Sequence, residues 1–203
     1  MKVGITFLFL AFVIILSAQS SLLYAQERVY DQYIRNSKVG ILMVSNSNDS
    51  GSGLKTISVE SEVEVNLLLL KAQIDYWGTA KFKDAVLQSA EVKVLRDGDL
   101  NQIAVTQKKR NRYQIEKDGE KKWIHEPQIR FTSMMLYIQE PVGIDRVYAE
   151  ADGIFNNLIY RGSGKYELIL QGSRNNFYYY ENGVLVRAKL DHWIAPVTLK
   201  LKK

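Results

Sequence analysis

The dipeptide Asn182-Gly183 lies between two runs of alternating residues, Asn175–Glu181 and Val184–Leu190. A two-residue type I′ turn needs positive φ at both central positions, which asparagine and glycine tolerate best. With the turn placed there, Glu181 faces Val184, Tyr180 faces Leu185, Tyr179 faces Val186, Tyr178 faces Arg187 and Phe177 faces Ala188. Side chains alternate with a period of two, so this register predicts a buried face of Phe177, Tyr179, Val184, Val186, Ala188 and Leu190. The wetter face is then Asn176, Tyr178, Tyr180, Leu185, Arg187 and Lys189. Flanking segments alternate too. Tyr166, Leu168 and Leu170 oppose Lys165, Glu167 and Gln171, and Val197, Leu199 and Leu201 oppose Thr198, Lys200 and Lys202. The C-terminal part reads as an antiparallel meander.

Earlier in the chain, Tyr33–Val44 reads as the first strand, with Gly40 a bulge or close-approach site, and Ser45–Gly53 as a polar loop. Ile57, Val59, Val63 and Val65 then alternate with Thr56, Ser58, Glu60, Glu62 and Glu64, placing the apolar row inward. Leu67–Leu70 leads into a segment ending near Lys83 and interrupted at Trp77-Gly78. Further short strands follow at Val86–Leu95, around Ile103 and Val105, around Tyr113 and Ile115, at Trp123-Ile124, Val147–Ala151 and Phe155–Arg161. Turns at Asp97-Gly98 and Asp118-Gly119 separate some of them. One segment departs from this pattern: Thr132 or Ser133 can cap a short helix over about 132–138, which Pro141 stops. The fold class is therefore all-β, a curved antiparallel sheet forming a half-open or closed soluble β-barrel with one short helix. An outer-membrane barrel would need an apolar belt bounded by aromatic girdles. Here the aromatics are scattered and charged clusters interrupt the segments.

Lys2, the apolar run Val3–Leu16 and the small residues after it have the layout of a secretory signal, too short to span a membrane. Cleavage after Ala25 leaves residues 26–203 as a single barrel-like domain, with Ala18-Gln19-Ser20 a second cleavage site and a retained anchor the alternative. The reading is of an exported protein, periplasmic or extracellular, with no transmembrane segment once processed. A formal charge of +5 with both signs interspersed does not imply nucleic acid. The chain has no cysteine, which excludes disulfides and a lipidated thiol.

No nucleophile elbow, zinc-protease helix, phosphate loop or dinucleotide fingerprint occurs, so no catalytic, cofactor or metal residues are assigned and no cofactor is expected. His125 and His192 are separated polar residues, and Asp191 beside His192 does not make a ligand set. Glu60, Glu62 and Glu64 could chelate a hard cation but read better as a solvated face. Lys108, Lys109, Arg110 and Arg112, with Lys117, Lys121 and Lys122 nearby, are diluted by Glu116, Asp118 and Glu120 and read as a charged hairpin. Asn48-Asp49-Ser50 is a glycosylation sequon by letter.

Two apolar groups are candidates for a ligand or partner surface. Tyr178, Tyr180 and Leu185 share the second face of the main hairpin, and Met134, Met135 and Tyr137 lie on the short helix. Packing of a second core, or of helix against sheet, is the competing account of both.

Lys38-Val39-Gly40-Ile41, Ser133–Tyr137 with Glu140-Pro141, Gly164–Leu168, Phe177–Gly183 and Val197–Leu201 together resemble an exported bacterial family known as a domain of unknown function. The resemblance implies a signal peptide and a curved antiparallel sheet, similar in outline to half-barrel lipoprotein carriers. It implies no activity and no catalytic residues. The expected function is non-enzymatic: holding an apolar or amphiphilic ligand inside the sheet, walled by Val59, Val63 and Val65 with the helix as a lid. The alternative is a structural or partner-binding envelope protein whose barrel is filled by its own side chains.

Overall fold

A computed structural model describes residues 24–202 apart from 50, 68, 69, 173 and 192–194. The expected signal segment thus lies outside the described residues as far as position 23, and the first strand begins at Tyr24. In chain order the strands are β1 Tyr24–Ile34, β2 Ser37–Asp49, β3 Leu54–Leu67, β4 Leu70–Lys83, β5 Val86–Arg96, β6 Asp99–Lys109 and β7 Arg112–Lys117. There follow β8 Glu120–Ile124, β9 Arg146–Ala149, β10 Ile154–Tyr160, β11 Lys165–Ile169, β12 Asn175–Glu181, β13 Val184–Leu190 and β14 Val197–Leu201. A 3₁₀ helix, Ser133–Tyr137, lies between β8 and β9.

All described strands join one antiparallel sheet in the order β8-β7-β6-β5-β4-β3-β2-β1-β14-β13-β12-β11-β10-β9. Among the described residues one ladder joins strands distant in sequence: β1 with β14, where Tyr30 faces Leu201 and Ile34 faces Val197. β8 and β9 form the two margins, and no ladder among the described residues connects them, so the barrel is half-open. Side chains bridge the gap instead. The Thr106 and Tyr148 hydroxyls share a hydrogen bond at 2.6 Å, Gln102 Nε2 donates to the Ala151 carbonyl at 2.5 Å, and Lys117 Nζ meets Asp152 Oδ1 at 2.9 Å.

The inward face carries the core. Ile57, Val59, Val63 and Val65 on β3 are buried, as their alternation with exposed Glu60, Glu62 and Glu64 predicts. Val197 and Leu199 on β14 are buried as expected. Gly40 is the anticipated close approach. Gln32 faces Gly40 while Tyr33 faces Lys38, leaving Val39 as the extra residue, and a Cβ on Gly40 would overlap the Glu62 carbonyl oxygen.

Several expectations are corrected. Tyr33–Val44 is not one strand but the end of β1, a turn at Arg35-Asn36 and most of β2. Arg35 takes φ 54°, a conformation its side chain does not advertise. Ser45–Asp49 is strand, paired with Leu54–Ser58, and Asn46 within it is buried opposite Ile57. Trp77-Gly78 does not interrupt β4.

The main hairpin departs most instructively. Asn182 and Gly183 have φ 51° and 77°, and Glu181–Val184 and Tyr180–Leu185 pair as expected. Val186 is then a bulge, so Tyr179 faces Arg187, Tyr178 faces Ala188 and Phe177 faces Lys189. The faces are reversed along β12 and at Leu185, but not beyond the bulge: Tyr178, Tyr180 and Leu185 are buried and Phe177 and Tyr179 are half-buried beneath cations, while Ala188 is buried and Arg187 and Lys189 are exposed as expected. Lys165 Nζ lies 4.7 Å from the Phe177 ring centre, and the Arg187 guanidinium 4.0 Å from that of Tyr179.

Candidate functional site

The chain after β8 turns into the barrel and is tied to its wall. The Tyr113 hydroxyl accepts from the Ile129 N–H at 3.0 Å and donates to the Leu87 carbonyl at 2.9 Å, while the Leu87 N–H donates to the Ile129 carbonyl at 2.8 Å. This brings the segment Ser133–Tyr137 onto the concave face as a 3₁₀ helix, shorter than the two-turn helix expected. Five residues cannot stand alone as a helix, and their open backbone groups need partners from elsewhere.

The sheet supplies them. The Thr132 side chain makes no cap. The carboxylate of Glu150, just after β9, accepts the N–H of Ser133 at 3.1 Å and of Met134 at 3.2 Å, and also the Ser133 hydroxyl. At the other end Tyr180 donates to the Leu136 carbonyl at 2.6 Å, and Tyr30 and Arg28 each donate to the Tyr137 carbonyl at 3.0 Å. Burial raises the carboxyl pKa of Glu150, against the lowering effect of its hydrogen bonds. Burial also pushes the Tyr180 and Tyr76 phenols far up, with Glu150 and Asp152 adding to the shift at Tyr76. These hydroxyls stay protonated and act as donors or neutral wall.

Between the helix and strands β1–β6 lies a cavity of about 420 Å³. Its apolar wall comes from Leu42, Val59, Val63, Val65, Ile74 and Val94, and Met134 and Tyr137 border it from the helix. Gln32, Ser61, Arg96, Asn101 and Gln102 supply the polar part. Gln32 Nε2 is already satisfied, donating to the Ile41 carbonyl at 2.8 Å and to Ser61 Oγ at 2.6 Å.

Of the six candidate surface residues, Met134 and Tyr137 reach this cavity. Met135, Tyr178, Tyr180 and Leu185 are buried in packing away from its lining, and Tyr180 serves to hold the helix. The valine row does not form the uncovered wall: Val59 and Val65 are each 1% exposed. Ile74, Tyr76, Val94, Tyr137 and Leu190, all half-buried, are the partly uncovered part. Glu150 and Arg96 were missed as site residues. Glu150 is an acid inside the apolar run Val147–Ala151, and Arg96 continues the inward row Ala90, Val92, Val94 by one more period of two. Both signals are present in the letters.

Outside the cavity several cations of the charged hairpin have partners within the chain. Lys108 Nζ donates to the Pro127 carbonyl at 2.5 Å, Lys121 pairs with Glu116 at 3.4 Å, and Arg112 stacks on Trp123 at 3.9 Å. His125 is exposed, and His192 lies outside the described residues. Among the described residues no three His, Asp or Glu side chains gather where a metal ion could sit. No helix among them is long and apolar enough to cross a membrane.

The fold and site thus define a half-open β-barrel-like protein with an internal cavity and, among the described residues, no metal-holding cluster. The chain belongs to the family described as Domain of unknown function (DUF6134), which it matches over residues 30–202. No curated protein matches it. Among solved structures it is similar to a beta-barrel-like protein of Domain of Unknown Function DUF1849 from Brucella abortus, with a TM-score of 0.59. The two are 12% identical, over 90% of this chain and 97% of the other, a likeness of fold alone.

Proposed function

We propose that the protein is exported to the periplasm or beyond and holds an apolar or amphiphilic ligand in the cavity beneath the 3₁₀ helix. One observation carries this reading. The inner segment packs into the concave face yet leaves about 420 Å³ bordered mainly by β1–β6, with apolar walls and a few polar groups. That volume and lining fall in the range of small-molecule sites, about 300–1,000 Å³. A protein that served only as a filled scaffold would close such a space to crystal-like density.

Titration of the full chain with the neutral fluorophore N-phenylnaphthylamine tests the cavity, with saturable uptake at micromolar levels expected. Ile74→Trp is the blocking variant, since Ile74 is half-buried and borders the space, whereas Met135 does not. Loss of uptake in that variant supports the site. No saturable uptake by the native protein would overturn the reading in favour of a structural or partner-binding envelope protein. Export is tested separately: N-terminal sequencing of envelope-fraction protein should begin at Gln26, and an intact Met1 in a detergent-extracted pellet would overturn it.

A further inference from the structure

We propose that the outer face of strands β11–β14 docks on an anionic lipid bilayer, its cations meeting lipid phosphates and its aromatic rings lying at head-group level. This surface is separate from the cavity, and the inference does not depend on the cavity reading. The outward residues of the C-terminal meander fall into two lines across neighbouring strands. One runs Lys200 on β14, Arg187 on β13, Tyr179 on β12 and Lys165 on β11. Their chain neighbours Leu199, Ala188, Tyr178 and Tyr166 are buried on the inner face. The second line runs Tyr33 on β1, Thr198 on β14, Lys189 on β13 and Phe177 on β12. With neighbouring strands ~4.8 Å apart, the patch is about 19 Å across. Cations and rings interleave within it. Lys200 Nζ lies 4.7 Å from the Tyr33 ring centre, and Lys165 Nζ lies 4.7 Å from that of Phe177 and 5.8 Å from that of Tyr179. The Arg187 guanidinium shares the Tyr179 ring at 4.0 Å.

Among the described residues none of Lys165, Arg187, Lys189 and Lys200 is ion-paired with a carboxylate. The nearby acids have other partners. Asp31, which faces Lys200, meets Lys38 Nζ at 2.6 Å. Glu167, which faces Phe177, is buried and accepts from Arg161 Nε at 2.6 Å and Asn175 Nδ2 at 2.8 Å. Exposed Glu181, by the hairpin turn, is the acid at the margin of the patch. The face is therefore positive, and its chemistry favours a bilayer over an anionic polymer. Single-stranded nucleic acid gains its grip by stacking bases on open ring faces. Here Lys200, Arg187 and Lys165 lie over the rings of Tyr33, Tyr179 and Phe177. A bilayer instead offers phosphates spread over a plane, which lysine and arginine meet, and a head-group layer suited to tyrosine. The Arg187 fork matches two oxygens of one phosphate.

The test is co-sedimentation of the full chain with sucrose-loaded vesicles, either pure phosphatidylcholine or phosphatidylcholine with about one third phosphatidylglycerol. Binding to the anionic vesicles alone, weakening as salt is raised, is expected. Each cation lost should weaken it about fivefold, so Arg187→Gln with Lys200→Gln should bind about 25-fold more weakly. The charge-keeping pair Arg187→Lys with Lys200→Arg should stay within about threefold of the native protein. Lys81→Gln with Lys109→Gln, two exposed lysines elsewhere, removes the same net charge and should leave binding nearly unchanged. Equal loss in that control pair would mean that overall charge, not this face, drives the contact, and would overturn the inference. So would equal binding to both vesicles, or to neither. Tighter binding to oligothymidylate or dextran sulfate than to the anionic vesicles would overturn the bilayer in favour of a polymer. None of these outcomes bears on fluorophore uptake by the cavity.

Discussion

Met134 and Gly78 share one space: a Cβ on residue 78 would overlap the Met134 methyl group and crowd the Tyr76 hydroxyl. The glycine in mid-strand is therefore a seat for the internal helix, and the bare backbone of β4 is what lets Met134 lie 1% exposed against the sheet. Gly78→Val should destabilise by about 1–3 kcal/mol through overpacking. In a Met134→Ala background the same change should cost less, because the new side chain occupies the vacated room. Urea midpoints of the four proteins check this, and simple additivity would contradict the seat.

Gly40→Ala should also destabilise, on the order of 1–3 kcal/mol, for a stiffer reason. The obstacle is the Glu62 carbonyl oxygen, part of the β3 backbone, which cannot rotate aside as a methionine methyl can. Thermal melts of the two proteins measure it. An unchanged melting temperature would mean that β2 and β3 can separate locally at little cost.

Gly183→Val should cost about 1–3 kcal/mol, since a β-branched residue is strained at φ 77°. Nothing lies within 4 Å of the added Cβ position, so the loss would report backbone conformation and not crowding. Urea denaturation decides, and an unchanged midpoint would mean that the turn relaxes to another type.

The main hairpin shows where the letters stop being sufficient. The Asn182-Gly183 turn and its first two pairs are legible, because turn chemistry is local. The bulge at Val186 is not, because both rows of β12 are aromatic and hydrophobicity cannot choose between Tyr178 with Tyr180 and Phe177 with Tyr179. The observed register gives the Leu136 carbonyl a donor, the Tyr180 hydroxyl from 44 residues away, a partnership no local pattern displays. The same non-locality hid Glu150 as the cap of Ser133 and Met134. The Arg35-Asn36 turn was hidden differently: no glycine marks it, so two strands read as one. The β3 row and the short helix were legible in place, since strict alternation and a proline-bounded apolar run are strong patterns.

Glu150 gives a pH signature. Its carboxyl pKa is raised on folding from the ordinary 4.5 by burial, so the folded chain holds the proton more tightly than the unfolded one. The resulting stabilisation is complete below 4.5 and is lost as pH rises through the folded value. Urea midpoints of the native protein and of Glu150→Gln, compared from acid to neutral pH, should show the native protein losing ground as pH increases. A difference that moves the other way would mean that the Ser133 and Met134 donors outweigh burial.

The β1–β14 ladder has a consequence for how the molecule comes apart. Chain ends commonly occupy the margins of a structure and fray without harm to the rest. Here the terminal strands meet in the middle of the sheet order, and the margins β8 and β9 come from the centre of the sequence. Peeling β14 away would not trim an edge. It would unzip the seam between two meanders, β1–β8 and β9–β14, leaving the inner segment as their covalent tether.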